Sequence, residues 1–136
     1  MTTCSARFAA LALAFTVGWH AAPAAAAPTP VARCELVSLD LLDALGRGDY
    51  AAAQALFAPA LADELPAAQL RTLWTDTADR QGALRTAGRP HGGRVNGRSE
   101  VFVPLMFEKS TVTADVVCDG DGRISAFRLT PPRTLP

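Results

Sequence analysis

VFVPLMFEKSTVTADVVCDGDGRISAFRL, residues 101–129, is the stretch whose reading decides the fold. Val101 to Phe107 is continuous and apolar, which reads as a central strand covered on both faces. Pro104 removes a ladder donor and predicts a bulge or bend within it. Val112, Ala114, Val116 and Cys118 alternate with Thr111, Thr113, Asp115 and Val117, the pattern of a strand with one face in a core. Asp119-Gly120-Asp121-Gly122 is hairpin-turn chemistry, and Arg123 to Leu129 returns as the last strand. Pro131 and Pro132 end the order.

Upstream of this meander, residues 83–98 accommodate two shorter strands broken by Gly92-Gly93 and Asn96-Gly97. Before Gly82 the period changes to that of helices. Cys34, Val37, Leu41 and Leu45 fall on one stripe, and Gly46 and Gly48 close that helix. Asp49 stands where an N-cap belongs, ahead of an Ala-rich helix from Tyr50 to Phe57 that Pro59 interrupts. Pro66 opens a third helix at its first-turn position, Gly82 stops it, and Leu70, Leu73, Trp74 and Ala78 form its apolar stripe. Helices first and a meander afterwards predict an α+β fold, with N-terminal helices packed on a curved antiparallel sheet.

The 136 residues carry 13 basic and 13 acidic side chains and are 49% apolar. That excludes a disordered chain, a cationic nucleic-acid binder and a disulfide-dense miniprotein. Residues 1–26 read as a secretory signal peptide: Arg7 precedes an uncharged run from Phe8 to Trp19, and small residues lead to a cut after Ala26. The run is shorter than the ~20 residues a membrane span needs. Residues 27–32 read as a linker, 33–132 as one domain and 133–136 as a tail. The expected location is the periplasm or the extracellular space, with no membrane contact after cleavage.

Zero net charge hides a segregation. Residues 35–79 hold eight acids against two Arg, whereas residues 80–98 hold Arg80, Arg85, Arg89, Arg94, Arg98 and His91 and no acid. Arg85, Arg89, Arg94 and Arg98 are candidates for an anion- or partner-facing surface; the alternative is a solvated set that balances the acidic helices.

The order Gly48-Asp49-Tyr50-Ala51-Ala52-Ala53, Phe57, Leu61, Leu65-Pro66, Leu70, Trp74 and Gly82, followed by Val101 to Glu108 and Asp119 to Ile124, resembles a small bacterial domain of unknown function in the nuclear transport factor 2-like (cystatin-like α+β) superfamily. Such domains are often secreted and often stand N-terminal to an α/β-hydrolase. The resemblance implies a cone, with a curved sheet wrapped around a pocket and closed by helices, and a homodimer through the open sheet face. It supplies no catalytic residues. Relatives tend to carry an aromatic residue where this chain has Cys118. Cys34 and Cys118 both point inward by periodicity and, in an exported chain, are expected to form a disulfide; two buried free thiols are the alternative.

Catalytic constellations are thin. Gly97-Arg98-Ser99-Glu100-Val101 begins like a nucleophile elbow but lacks the final Gly and precedes a strand, where an elbow must follow one. The Asp119 to Ile124 segment lacks the ligands that would complete a calcium loop. His91 has no ligand partner at metal spacing. Acid–base chemistry in the cone would draw on Glu100, Glu108, Asp115 or Tyr50. The reading adopted is an exported, non-catalytic domain that binds a small molecule or protein, with Trp74, Phe102 and Met106 as pocket candidates and no cofactor, metal or nucleic acid. The alternatives are a small isomerase- or dehydratase-like enzyme, or an accessory domain of a separately encoded hydrolase.

Overall fold

The computed structural model describes residue 18 and residues 21–131; most of the leader read over 1–26, and the tail at 133–136, lie outside the described residues. Among the described residues four helices precede five strands: α1 Pro30–Gly46, α2 Tyr50–Ala55, α3 Pro59–Glu64, α4 Ala67–Gln81, then β1 Leu84–Ala87, β2 His91–Val95, β3 Arg98–Phe107, β4 Thr111–Cys118 and β5 Ile124–Thr130. The α+β class therefore stands, and the sheet is open.

Local chemistry explains the boundaries. α1 starts inside the segment read as a linker, because Thr29-Pro30 is itself a helix start: the Thr29 hydroxyl accepts the Ala32 N–H at 3.1 Å, and Pro30 occupies a position whose N–H would go unused. Gly48 turns the chain at φ +71. Asp49 then caps α2, its Oδ1 accepting the Ala52 N–H at 3.1 Å. Pro59 begins a further short helix for the same reason as Pro30, so four helices stand where three were expected. Pro66 sits one position ahead of α4, and Gly82, at φ +82, ends it.

All strand pairs are antiparallel, in the order β1-β3-β4-β5, and β2 also pairs with β3. Because β4 takes one side of β3, β1 and β2 share the other. β1 opposes residues 105–107 of β3, and β2 opposes residues 98–102. Pro104 falls in the gap between them. Its carbonyl accepts the Gly88 N–H at 2.7 Å, so its nitrogen also faces that side, where β1 has just ended. The β3–β4 ladder consequently runs unbroken through Pro104↔Thr113, and the bulge expected at Pro104 does not form there. The irregularity lies instead in β1, between Leu84 and Thr86.

Val101, Val103, Leu105 and Phe107 of β3 face the helices together with Val112, Ala114, Val116, Ile124 and Phe127. They pack with Leu41, Leu45, Ala53, Phe57, Leu61, Leu70 and Trp74 in one core. The other face of β3, with Glu100, Phe102, Pro104 and Met106, is half-buried or exposed. β3 is thus covered on one face, not two. Its apolar run looked continuous because Phe102, Pro104 and Met106 are apolar on the open side as well. The second turn of α1 is tied to the end of β4 by the Cys34–Cys118 disulfide, with Cα atoms 5.8 Å apart. A second tie joins the helices to β5: Ala58 N–H donates to Ile124 O at 2.7 Å, and Ile124 N–H to Leu56 O at 3.1 Å.

Candidate functional site

α4 crosses one end of the sheet, and the space beneath its last turns stays open. Thr77, Arg80 and Gln81 of α4, Val112 of β4, Leu129 of β5 and Pro131 line a cleft of about 330 Å³. Its floor is apolar. Among its polar groups, the Thr77 hydroxyl is consumed, donating to Leu73 O at 2.8 Å. Gln81 Oε1 accepts the Ser110 hydroxyl, so the amide nitrogen is the end left to donate. Among the described residues no carboxylate lies within 4 Å of the Arg80 guanidinium. The cleft therefore offers donors around an apolar floor, and among the described residues no carboxyl or imidazole lines it. Such a surface suits an apolar molecule ending in a carboxylate or carbonyl.

The three pocket candidates from the sequence do not meet. Trp74 lies on the core side of α4, one turn before Thr77, its ring centroid 6.1 Å from that of Phe107. Phe102 and Met106 are on the opposite face of the sheet, where the Phe102 centroid lies 5.9 Å from that of His91. Sequence reasoning missed Thr77 and Gln81. Extending the Trp74 stripe by three and seven residues reaches both, but their polarity removes them from an apolar-stripe reading.

Another hollow lies on the uncovered sheet face. Val95, Asn96, Arg98, Glu100 and Val117 line a hollow of about 430 Å³ beside the β2–β3 turn. Arg85 pairs with Glu108 at 2.7 Å, and Arg94 donates to Gly97 O at 2.8 Å. Arg89 and Arg98 have no carboxylate within 4 Å among the described residues.

The acid–base candidates are dispersed. Besides Arg85, Glu108 holds the Ala83 N–H at 3.1 Å. Asp115 accepts the Thr130 hydroxyl at 2.9 Å and stands opposite Arg128. Glu100 faces outward, and Tyr50 lies under the Arg71 guanidinium, 5.3 Å from the ring centroid. Asp119 Oδ1 accepts the N–H groups of Asp121 and Arg123, both at 3.0 Å, which is turn chemistry. Among the described residues no group of three or more His, Cys, Asp or Glu is placed to hold a metal ion, and no helix is long and apolar enough to cross a membrane.

No curated protein and no solved structure matches the chain. The family described as a protein of unknown function, DUF3887, matches residues 38–127, a span from the middle of α1 to the end of the β5 core residues. The chain belongs to the DUF3887 family.

Proposed function

We propose that this chain is an exported, non-catalytic binding domain of the nuclear transport factor 2-like kind, which holds a small apolar, anionic ligand in the cleft between α4 and strands β4–β5. The observation that carries this reading is the cleft's lining: an apolar floor of Val112, Leu129 and Pro131 with the donors Arg80 and Gln81 around it. The space deeper between helices and sheet is filled by apolar side chains, and the buried polar residues among the described ones are Ser38, Thr77 and Ser99, none of them ionisable. Export is supported by the leader pattern and by the Cys34–Cys118 bond, since disulfides persist in oxidising compartments. Octanoate is a suitable probe. Titrated into the isotopically labelled chain, it is expected to shift the amides of Thr77, Arg80, Gln81, Val112 and Leu129, and Arg80→Ala should weaken it. Shifts elsewhere, or none at millimolar probe, would refute the cleft as the site.

A homodimer through the uncovered sheet face is a second reading, favoured by exposed apolar side chains there: Met106 is 38% exposed and Val95 50%, and Phe102 lies in the same surface. Sedimentation of the wild type and of Phe102→Glu tests it. The wild type should sediment as a dimer and the variant as a monomer; a wild type that stays monomeric at several hundred micromolar overturns it.

A further inference from the structure

We propose that the edge strand β2 is a docking site for an extended acidic peptide segment, which adds to the sheet as a further strand. This surface is separate from the cleft and does not depend on the cleft's having a ligand.

The backbone makes the first part of the case. Among the described residues β2 pairs with β3 on one side and with no strand on the other, where it is an edge. The two strands are joined by the two-residue turn Asn96-Gly97, both at positive φ (+50 and +78), the geometry of a type I′ hairpin. In such a hairpin the flanking pair Val95↔Arg98 exchanges hydrogen bonds, and so do Gly93↔Glu100 and His91↔Phe102 in alternation. Gly92 and Arg94 therefore direct their N–H and C=O groups away from β3, toward the free edge. All five β2 residues are exposed, and Gly92 and Gly93 bring no side chain to screen the backbone. Gly92 is also required by packing: a Cβ there would sit 2.0 Å from Glu100 O. Natural edges are usually blunted by proline, bulges or a covering element; among the described residues β2 has no proline or bulge between His91 and Val95, and its five residues stay exposed although α1 approaches it.

Charge complementarity makes the second part. Arg89 stands just before β2, His91 and Arg94 lie in it and Arg98 opposes Val95 from β3, and among the described residues none has a carboxylate within 4 Å. Glu100 is the nearest acid in the ladder, and it points to the open sheet face rather than along the edge. The edge thus offers alternating backbone donors and acceptors in a basic field. A peptide backbone matches that alternation at strand spacing and acidic side chains match the field; a polyphosphate satisfies only the charge.

The test uses the full chain with its disulfide intact and a labelled, N-acetylated peptide of alternating Glu and Val, its Lys-Val counterpart, and two versions of the acidic peptide N-methylated on either the Glu or the Val residues. Fluorescence anisotropy reads affinity, and amide exchange reads Gly92 and Arg94. The acidic peptide should bind and slow exchange at both amides, and the Lys peptide should not bind. One of the two N-methylated peptides, the one methylated on the edge facing β2, should lose about tenfold or more. Arg89→Glu with Arg98→Glu should weaken the acidic peptide by about tenfold, while circular dichroism stays unchanged because both side chains are exposed. Equal binding of both N-methylated peptides means attraction by charge alone and overturns strand addition. No binding of the acidic peptide, or unchanged exchange at Gly92 and Arg94, overturns it as well.

Discussion

Reducing the Cys34–Cys118 bond should remove a large contribution to stability in this domain. The bond spans 84 residues, most of the folded part of the chain. In the chain-entropy account a closed loop of that length lowers the entropy of the unfolded ensemble by about 15 cal/mol/K, or about 4–5 kcal/mol at 25 °C. Native packing adds little to the difference, because Cys34 and Cys118 stay buried in the core as thiols and keep most of their contacts. For a domain of this size each kcal/mol moves the melting temperature by about 4–8 °C. The assay is urea unfolding of residues 27–136, oxidised and then reduced with phosphine under denaturing conditions and refolded in reductant. The oxidised form should show the higher midpoint and a lower m-value, since its unfolded chain is more compact. Mass spectrometry of the oxidised form should be two hydrogens short of the dithiol. Equal stabilities within about 1 kcal/mol would refute the entropic reasoning, and a full complement of hydrogens would refute the bond itself.

Trp74→Ala should cost about 3–5 kcal/mol in urea unfolding, because the side chain is buried against Phe107 and its removal leaves a large cavity. Asp49→Ala should cost about 1 kcal/mol through the lost cap on α2, and Asp49→Asn should restore most of it. Gly82→Ala should destabilise by more than about 1 kcal/mol, because φ is +82 and the new Cβ would lie 2.6 Å from Glu108 Oε2. Adding Glu108→Ala should relieve only the contacts with the carboxylate end, because the Glu108 Cβ, 2.8 Å from the new Cβ, remains; a full rescue would show that neither that contact nor φ carries a cost.

Most element boundaries were legible because their causes are local. Asp49 and Gly82 act within a turn of their own position, and so does the Asp119-Gly122 turn; the Thr29-Pro30 start is just as local but lies in the segment read as a linker. The hydroxyl and carboxylate caps among them need only nearby N–H groups, whatever the rest of the chain does. The cleft was not legible. It arises because the last turns of α4 pass over the ends of β4 and β5, and Thr77 and Gln81 come to line it by position, not by chemical type. Phe102 and Met106 misled for the converse reason. Their size marks a core residue, but β3 carries apolar side chains on both faces and only one face is covered.

Periodicity, turn residues and the inward phase of Cys34 and Cys118 by themselves determined the α+β class, the helix-then-meander order and the candidate disulfide. These follow from the spacing of side chains along a helix or a strand. Tertiary structure alone decided that β1 and β2 share one side of β3, so that Pro104 falls where no donor is needed. It also decided which sheet face the helices cover and which strand edge is left free. Those outcomes depend on contacts between segments far apart in the chain, and no local pattern encodes which of two apolar faces will be the one that is buried.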